Sequence, residues 1–198
     1  FSGGGSRLVS VFHNGEKMLG TDLFSLQRQG VFENGTEWTV GCSENDEGVF
    51  PPELNSFYCY RVSGSTSFNG KGYFNLKRFG STPSEGGGVL VASLRVEGNK
   101  VYMRHPDSPD AEFLMYDFGA RIGDRFTCMG VHDSHVENQC LANTHFIECV
   151  DRTYRTIGDN DYEVMVLQDY TDDTYSQISG PLHEWIVGIG SAGDLCNP

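Results

Sequence analysis

Short strand-like runs of apolar residues recur along most of this chain, and a spacing of three or four residues almost nowhere. A period of two belongs to an extended strand, whose side chains point alternately to opposite faces. The segment FIECVDRTYRTIG (146–158) shows it: Ile147, Cys149 and Asp151 share one face, while Phe146, Glu148 and Val150 take the other. EFLMYDF (112–118) and YEVMVLQDY (162–170) are apolar on both faces, which predicts covered, central strands. EWIVGI (184–189) follows Pro181 and predicts a further strand. Helix signals are weak, because no window of about twelve residues joins a 3.6-residue period to helix caps.

The punctuation between these segments agrees with the strands. Asn14-Gly15, Asn34-Gly35, Asn69-Gly70 and Gly98-Asn99 each stand between apolar or β-branched runs. Such pairs tolerate the positive φ of a type I′ turn, whose twist matches a two-residue hairpin. GSTPSEGGG (80–88), RHPDSPDA (104–111) and DYTDDTYSQISGP (169–181) read as loops. The pattern predicts an all-β fold with little helix: an antiparallel hairpin meander forming a twisted barrel or a two-sheet sandwich. No repeat and no shift in composition divides the chain, so residues 1–198 are expected to form one domain, with 1–7 (FSGGGSR) as a flexible lead-in.

Charge narrows the partners. Lys and Arg number 14 against 27 Asp and Glu, a net charge of −13. A duplex-binding surface needs cations on phosphates, so nucleic acid is not an expected partner. No run approaches the about 18 apolar residues of a transmembrane helix, and the start carries no leader pattern. Any export signal is therefore expected to have been removed or to lie outside this sequence.

Candidate chemistry centres on TCMGVHDSHVENQCLANTHFIECV (127–150), which holds Cys128, His132, His135, Cys140, His145 and Cys149. His132, His135, Cys140 and His145 fit zinc spacing loosely, but neither HExxH nor a paired C-x-x-C is present. The alternative is a polar loop with its cysteines in disulfides. GDNDYE (158–163) lacks the glycine and distant glutamate of a calcium loop, and GIGSAG (188–193) lacks the lysine of a phosphate loop. An acid pair for hydrolysis needs a separation that spacing does not reveal. Trp38 and Trp185, with nine tyrosines in the chain, are candidates for an aromatic ligand surface. No cofactor is expected.

Four stretches occur in a telling order: VSGSTSFNGKGYFNLKR (62–78), LRVEGNKVYM (94–103), EFLMYDFGARIGDRF (112–126) and EWIVGIGSAGDL (184–195). Together they resemble a poorly characterised family of secreted or surface Bacteroidetes domains, some of which carry a type IX sorting signal. The resemblance covers roughly 58–198. It implies fold-defining roles for Asn69, Gly70, Tyr116, Asp117, Gly123, Asp124, Gly188, Gly190 and Ser191, and carries no catalytic residues over. The chain departs from the pattern at Val187, where the family has an acid, and in the Cys/His segment, which reads as a loop elaboration. The resemblance implies an exported protein, secreted, periplasmic or anchored at the outer surface, in which cysteines are oxidised. On that basis Cys128 is expected to pair with Cys140 or Cys149, Cys42 with Cys59, and Cys196 to tie back the last residues. The expected role is non-catalytic binding or adhesion, as a monomer, to a glycan, peptide or surface protein. The alternatives are a hydrolase using an acid pair or a Cys/His metal site, and a purely structural surface module.

Overall fold

The computed structural model describes residues 6–13, 16–17, 32, 34–42, 56–79, 88–134, 139–157 and 160–192, with backbone alone for 6–13, 16–17, 40–42, 56–58, 131–134, 139–143 and 160. Among these there is no helix, and two antiparallel sheets each curl into a half-barrel. The larger sheet holds β1 (Ser6–His13), β2 (Glu16–Lys17), β3 (Thr36–Cys42), β4 (Ser56–Phe68), β5 (Lys71–Phe79), β6 (Val89–Glu97), β7 (Lys100–Arg104) and β8 (Phe113–Asp117). Its spatial order is β2-β1-β3-β4-β5-β6-β7-β8. The smaller sheet holds β9 (Arg125–Ser134), β10 (Gln139–Ile157), β11 (Asn160–Tyr170), β12 (His183–Ile186) and β13 (Gly190–Ser191), in the order β13-β12-β11-β10-β9.

The Asn-Gly signals act as local chemistry requires. At Asn69-Gly70, φ is 49° and 75°, and Phe68 pairs with Lys71 across the turn. At Gly98-Asn99, Glu97 pairs with Lys100, with Gly98 at φ 59°. Asn34-Gly35 precedes β3, where the Asn34 side chain accepts from the Gly64 amide at 3.0 Å. Asn14 and Gly15 lie outside the described residues; His13 and Glu16 on either side of them pair. The smaller sheet is built around YEVMVLQDY: β11 lies between β10 and β12, and Val164, Met165 and Leu167 are buried.

One buried cluster draws on both sheets, from Trp38, Val62, Leu76, Leu94, Met103 and Tyr116 to Ile147, Cys149, Met165 and Trp185. At its centre Tyr116 meets Trp185 edge-on with ring centroids 4.9 Å apart and stacks on Phe118 at 5.2 Å. Such pairs each add about 0.5–1.5 kcal/mol beyond the apolar area they bury. The junction between the sheets is the turn after β8. Its Gly123 amide donates to the Cys149 carbonyl at 2.7 Å, and the Cys149 amide donates to the Asp124 carbonyl at 3.0 Å. Gly123 adopts φ 89°, and the Asp124 carboxylate accepts from the Arg121 amide at 2.8 Å. Asp117 caps the same turn through the Gly119 amide at 3.0 Å and pairs with Lys100. Gly188 and Gly190, at φ 79° and 125°, shape the turn between β12 and β13. The Ser191 amide there donates to the Tyr116 hydroxyl at 3.2 Å.

Four expectations are corrected. Trp38 and Trp185 are fully buried, so they fill the core and present no ligand surface. The strand in EFLMYDF is not central: β8 ends its sheet, pairing only with β7, and gains its cover from neighbouring β9. Asp151 leaves the face of Ile147 and Cys149 because the register slips between Cys149 and Asp151, turning it out to solvent. The strand β1 starts at Ser6, inside the expected lead-in.

The disulfides expected for Cys128 and between Cys42 and Cys59 also fail. Cys59, Cys128 and Cys149 are free and buried. Register explains this. Cys128 faces His145, four residues short of Cys149 and five past Cys140 along β10, so both cysteines lie at least about 13 Å along the strand from it. Cys59 faces Thr39, three residues from Cys42, or about 10 Å. A disulfide needs its Cα atoms within about 7 Å. Cys196 lies outside the described residues.

Candidate functional site

Two clusters of chemistry occupy opposite faces of the smaller sheet at the same end. Residues directly opposite in an antiparallel pair share a face, so the register sorts them. Cys128 pairs with His145, Ile147 with Asp169, and Leu167 with His183. All six therefore look toward the core. Thr127 pairs with Phe146, Phe146 with Tyr170, and Arg125 with Glu148, and these look outward.

On the core side, the imidazoles of His145 and His183 each place Nδ1 3.7 Å from the same Asp169 Oδ2. Their Nε2 atoms and Asp169 Oδ1 are buried without a hydrogen-bond partner. Burial holds the His183 imidazole below its ordinary range; the Asp169 charge opposes that and His145 adds to it. The Cys128 thiol is pushed well above its ordinary range by burial first and by the charge of Asp169 second. At 2% exposure it is a small core side chain, not a nucleophile. Cys59 is pushed up to about 11 by burial and then by Glu37, and is equally inert.

On the outer side, Arg125 Nε donates to Glu148 Oε2 at 2.8 Å, and the Tyr170 hydroxyl donates to the same oxygen at 3.0 Å. That second bond raises the Tyr170 phenol above its ordinary range. The Arg125 guanidinium also lies 5.0 Å from the centre of the Tyr175 ring, which meets Tyr170 at 5.2 Å and Phe146 at 6.4 Å. Tyr175 comes from the loop after β11 and has φ 54°. A non-glycine residue there costs about 1–2 kcal/mol, an expense that concentrates where position serves function. The strain is held by the Asp172 carbonyl, which accepts from the Tyr175 amide, and by the Tyr170–Ile178 bridge.

A third polar cluster, on the larger sheet, is saturated. Arg95 grips Glu112 with two bonds of 2.7 and 2.9 Å, and Tyr73 donates to Glu112 at 2.6 Å. The Arg95 bonds dominate in lowering Glu112 to about 2. Glu97, which Arg95 also holds, is lowered as well. Neither carboxyl is poised as a general acid, and the arrangement is a clasp between β5, β6 and the entry to β8.

Of the loosely zinc-like set, only the side chain of His145 is described; those of His132 and Cys140, and all of His135, fall outside. Among the described residues, no three His, Cys, Asp or Glu side chains are arranged to hold a metal ion. No described helix is long and apolar enough to cross a membrane. The companions of His145 are Asp169 and His183, from the two following strands, and no local spacing marks them as a group. The aromatic patch was hidden likewise: Tyr170 and Tyr175 sit in a segment that reads as a plain acidic loop. No protein-family model, no curated protein and no solved structure matches the chain.

Proposed function

We propose that the chain is an exported or cell-surface β domain with a non-catalytic binding role, and that its ligand is a neutral glycan held on the outer face of the smaller sheet. The observation that carries this reading is the patch of Phe146, Tyr170 and Tyr175 set around the Arg125–Glu148 pair. A sugar ring has an apolar C–H face and a rim of hydroxyls. Ring faces take the first, and planar charged groups with spare donors and acceptors take the second. A net charge of −13 disfavours anionic ligands. The export half of the proposal rests on the sequence resemblance to secreted Bacteroidetes domains. The free thiols lend it no support.

Glycan-array screening followed by calorimetric titration of the best hit tests the proposal. Tyr175→Ala and Arg125→Ala are each expected to weaken binding at least about tenfold, the scale of a lost anchor in a small interface. Absence of any glycan bound, or binding indifferent to both substitutions, overturns it. In the first case a peptide ligand or a purely structural role takes its place.

A further inference from the structure

We infer that His145, Asp169 and His183 form an acid-operated fastening for the loop that carries Tyr175, so that the ligand is held at neutral pH and released in mild acid. The ligand half of this inference rests on the binding role proposed above; the fastening does not.

Connectivity supplies the first argument. The loop 171–182 leaves β11 two residues after Asp169 and enters β12 at His183. Both of its stems therefore end in the cluster. The Ser179 amide donates to the carbonyl of Asp169 itself at 2.9 Å, the Thr171 amide to Gln177 at 2.9 Å, and Gln168 Nε2 to the Gly180 carbonyl at 2.9 Å. Displacing Asp169 or His183 pulls on these bonds and on the Tyr170–Ile178 bridge, and so on the position of Tyr175.

Charge supplies the second. One carboxylate faces two imidazoles, each 3.7 Å from the same oxygen. A proton on His183 meets the Asp169 charge, but it also leaves a cation in a space where both Nε2 atoms are already buried and unpartnered, and burial outweighs the attraction. The groups facing His183 are Asp169 from β11, His145 from β10 and, beyond it, the neutral Cys128 thiol from β9. Arg125, Glu148 and Tyr170 lie on the other face of the sheet, and Glu184 is engaged by Arg155.

The sign follows from the environment. Burial holds folded His183 below the ordinary value of 6.5, so the displaced or unfolded form takes the proton first. The fastening is at full strength above about 6.5 and is lost as pH falls from there through the lower folded value.

The test needs no ligand. Amide nitrogen–proton correlation spectra of the full chain, taken from about pH 7.5 to about pH 5 where imidazoles titrate, follow Thr171 and Ser179 directly. In the wild type both signals are expected to shift or broaden with a midpoint below 6.5. In His183→Gln, which removes the buried imidazole, the change is expected to vanish; in His145→Gln, which leaves His183 buried but removes a charge that lowers it, the change is expected to weaken and its midpoint to move up. Signals unchanged across the range in the wild type, or an identical transition in the folded variants, overturn the inference. Should one variant fail to fold, the other decides. Failure to find a glycan leaves this result standing and bears only on the binding role.

Discussion

The guanidinium of Arg152 donates to the Phe118 carbonyl at 3.2 Å and the Ala120 carbonyl at 2.5 Å, and its other nitrogens hold Glu163. It ties the turn after β8 to two strands of the other sheet. Arg152→Ala is expected to cost about 2–3 kcal/mol, since charged hydrogen bonds are lost and half-buried partners are left unmet. Urea unfolding measures it; a loss under about 0.5 kcal/mol, the level of an ordinary surface change, would count against this role. Residue roles were the least legible part of the sequence. That Trp38 and Trp185 lie in strands is readable, but which face each takes depends on how the sheets stack. The cysteines invite pairing by their even number, yet cross-strand register, a non-local property, keeps the expected partners apart.

At the scale of elements, turns are local and were legible. Asn69-Gly70 and Gly98-Asn99 close hairpins because only a few residue types accept their backbone. Gly70 has φ 75° with open space where a Cβ would stand, so its requirement is conformational alone. Gly70→Ala is expected to destabilise the fold by about 1 kcal/mol. Gly72, two residues on and equally uncrowded but without positive φ, is expected to tolerate alanine within about 0.5 kcal/mol. Parallel thermal melts of the two variants check the contrast, and equal losses would refute it. What strand patterning did not reveal was irregularity. The bulge after Cys149 moves Asp151 across the sheet, and no residue type announces it.

At the scale of the molecule, the all-β class followed from periodicity, but the candidate site did not. His145, Asp169 and His183 come from three different strands whose order only the finished sheet defines. The shared core makes a further prediction: fluorescence of the two tryptophans and far-ultraviolet circular dichroism are expected to report a single coincident unfolding transition. Two separated transitions would mean that each half-barrel stands alone.

The indole of Trp38 donates to the carbonyl of Ile189 at 3.2 Å, across 151 positions of chain. A ribosome makes Ile189 only 151 residues after Trp38, when all the described strands but β13 have been made. Until then the largest aromatic of the first sheet lacks both its polar partner and the β12–β13 turn beside it. The nascent chain must therefore carry an unfinished greasy surface throughout that interval. Its hazard is one of timing: premature collapse, mispairing with a neighbouring copy, and dependence on whatever holdase meets it before the last turn arrives.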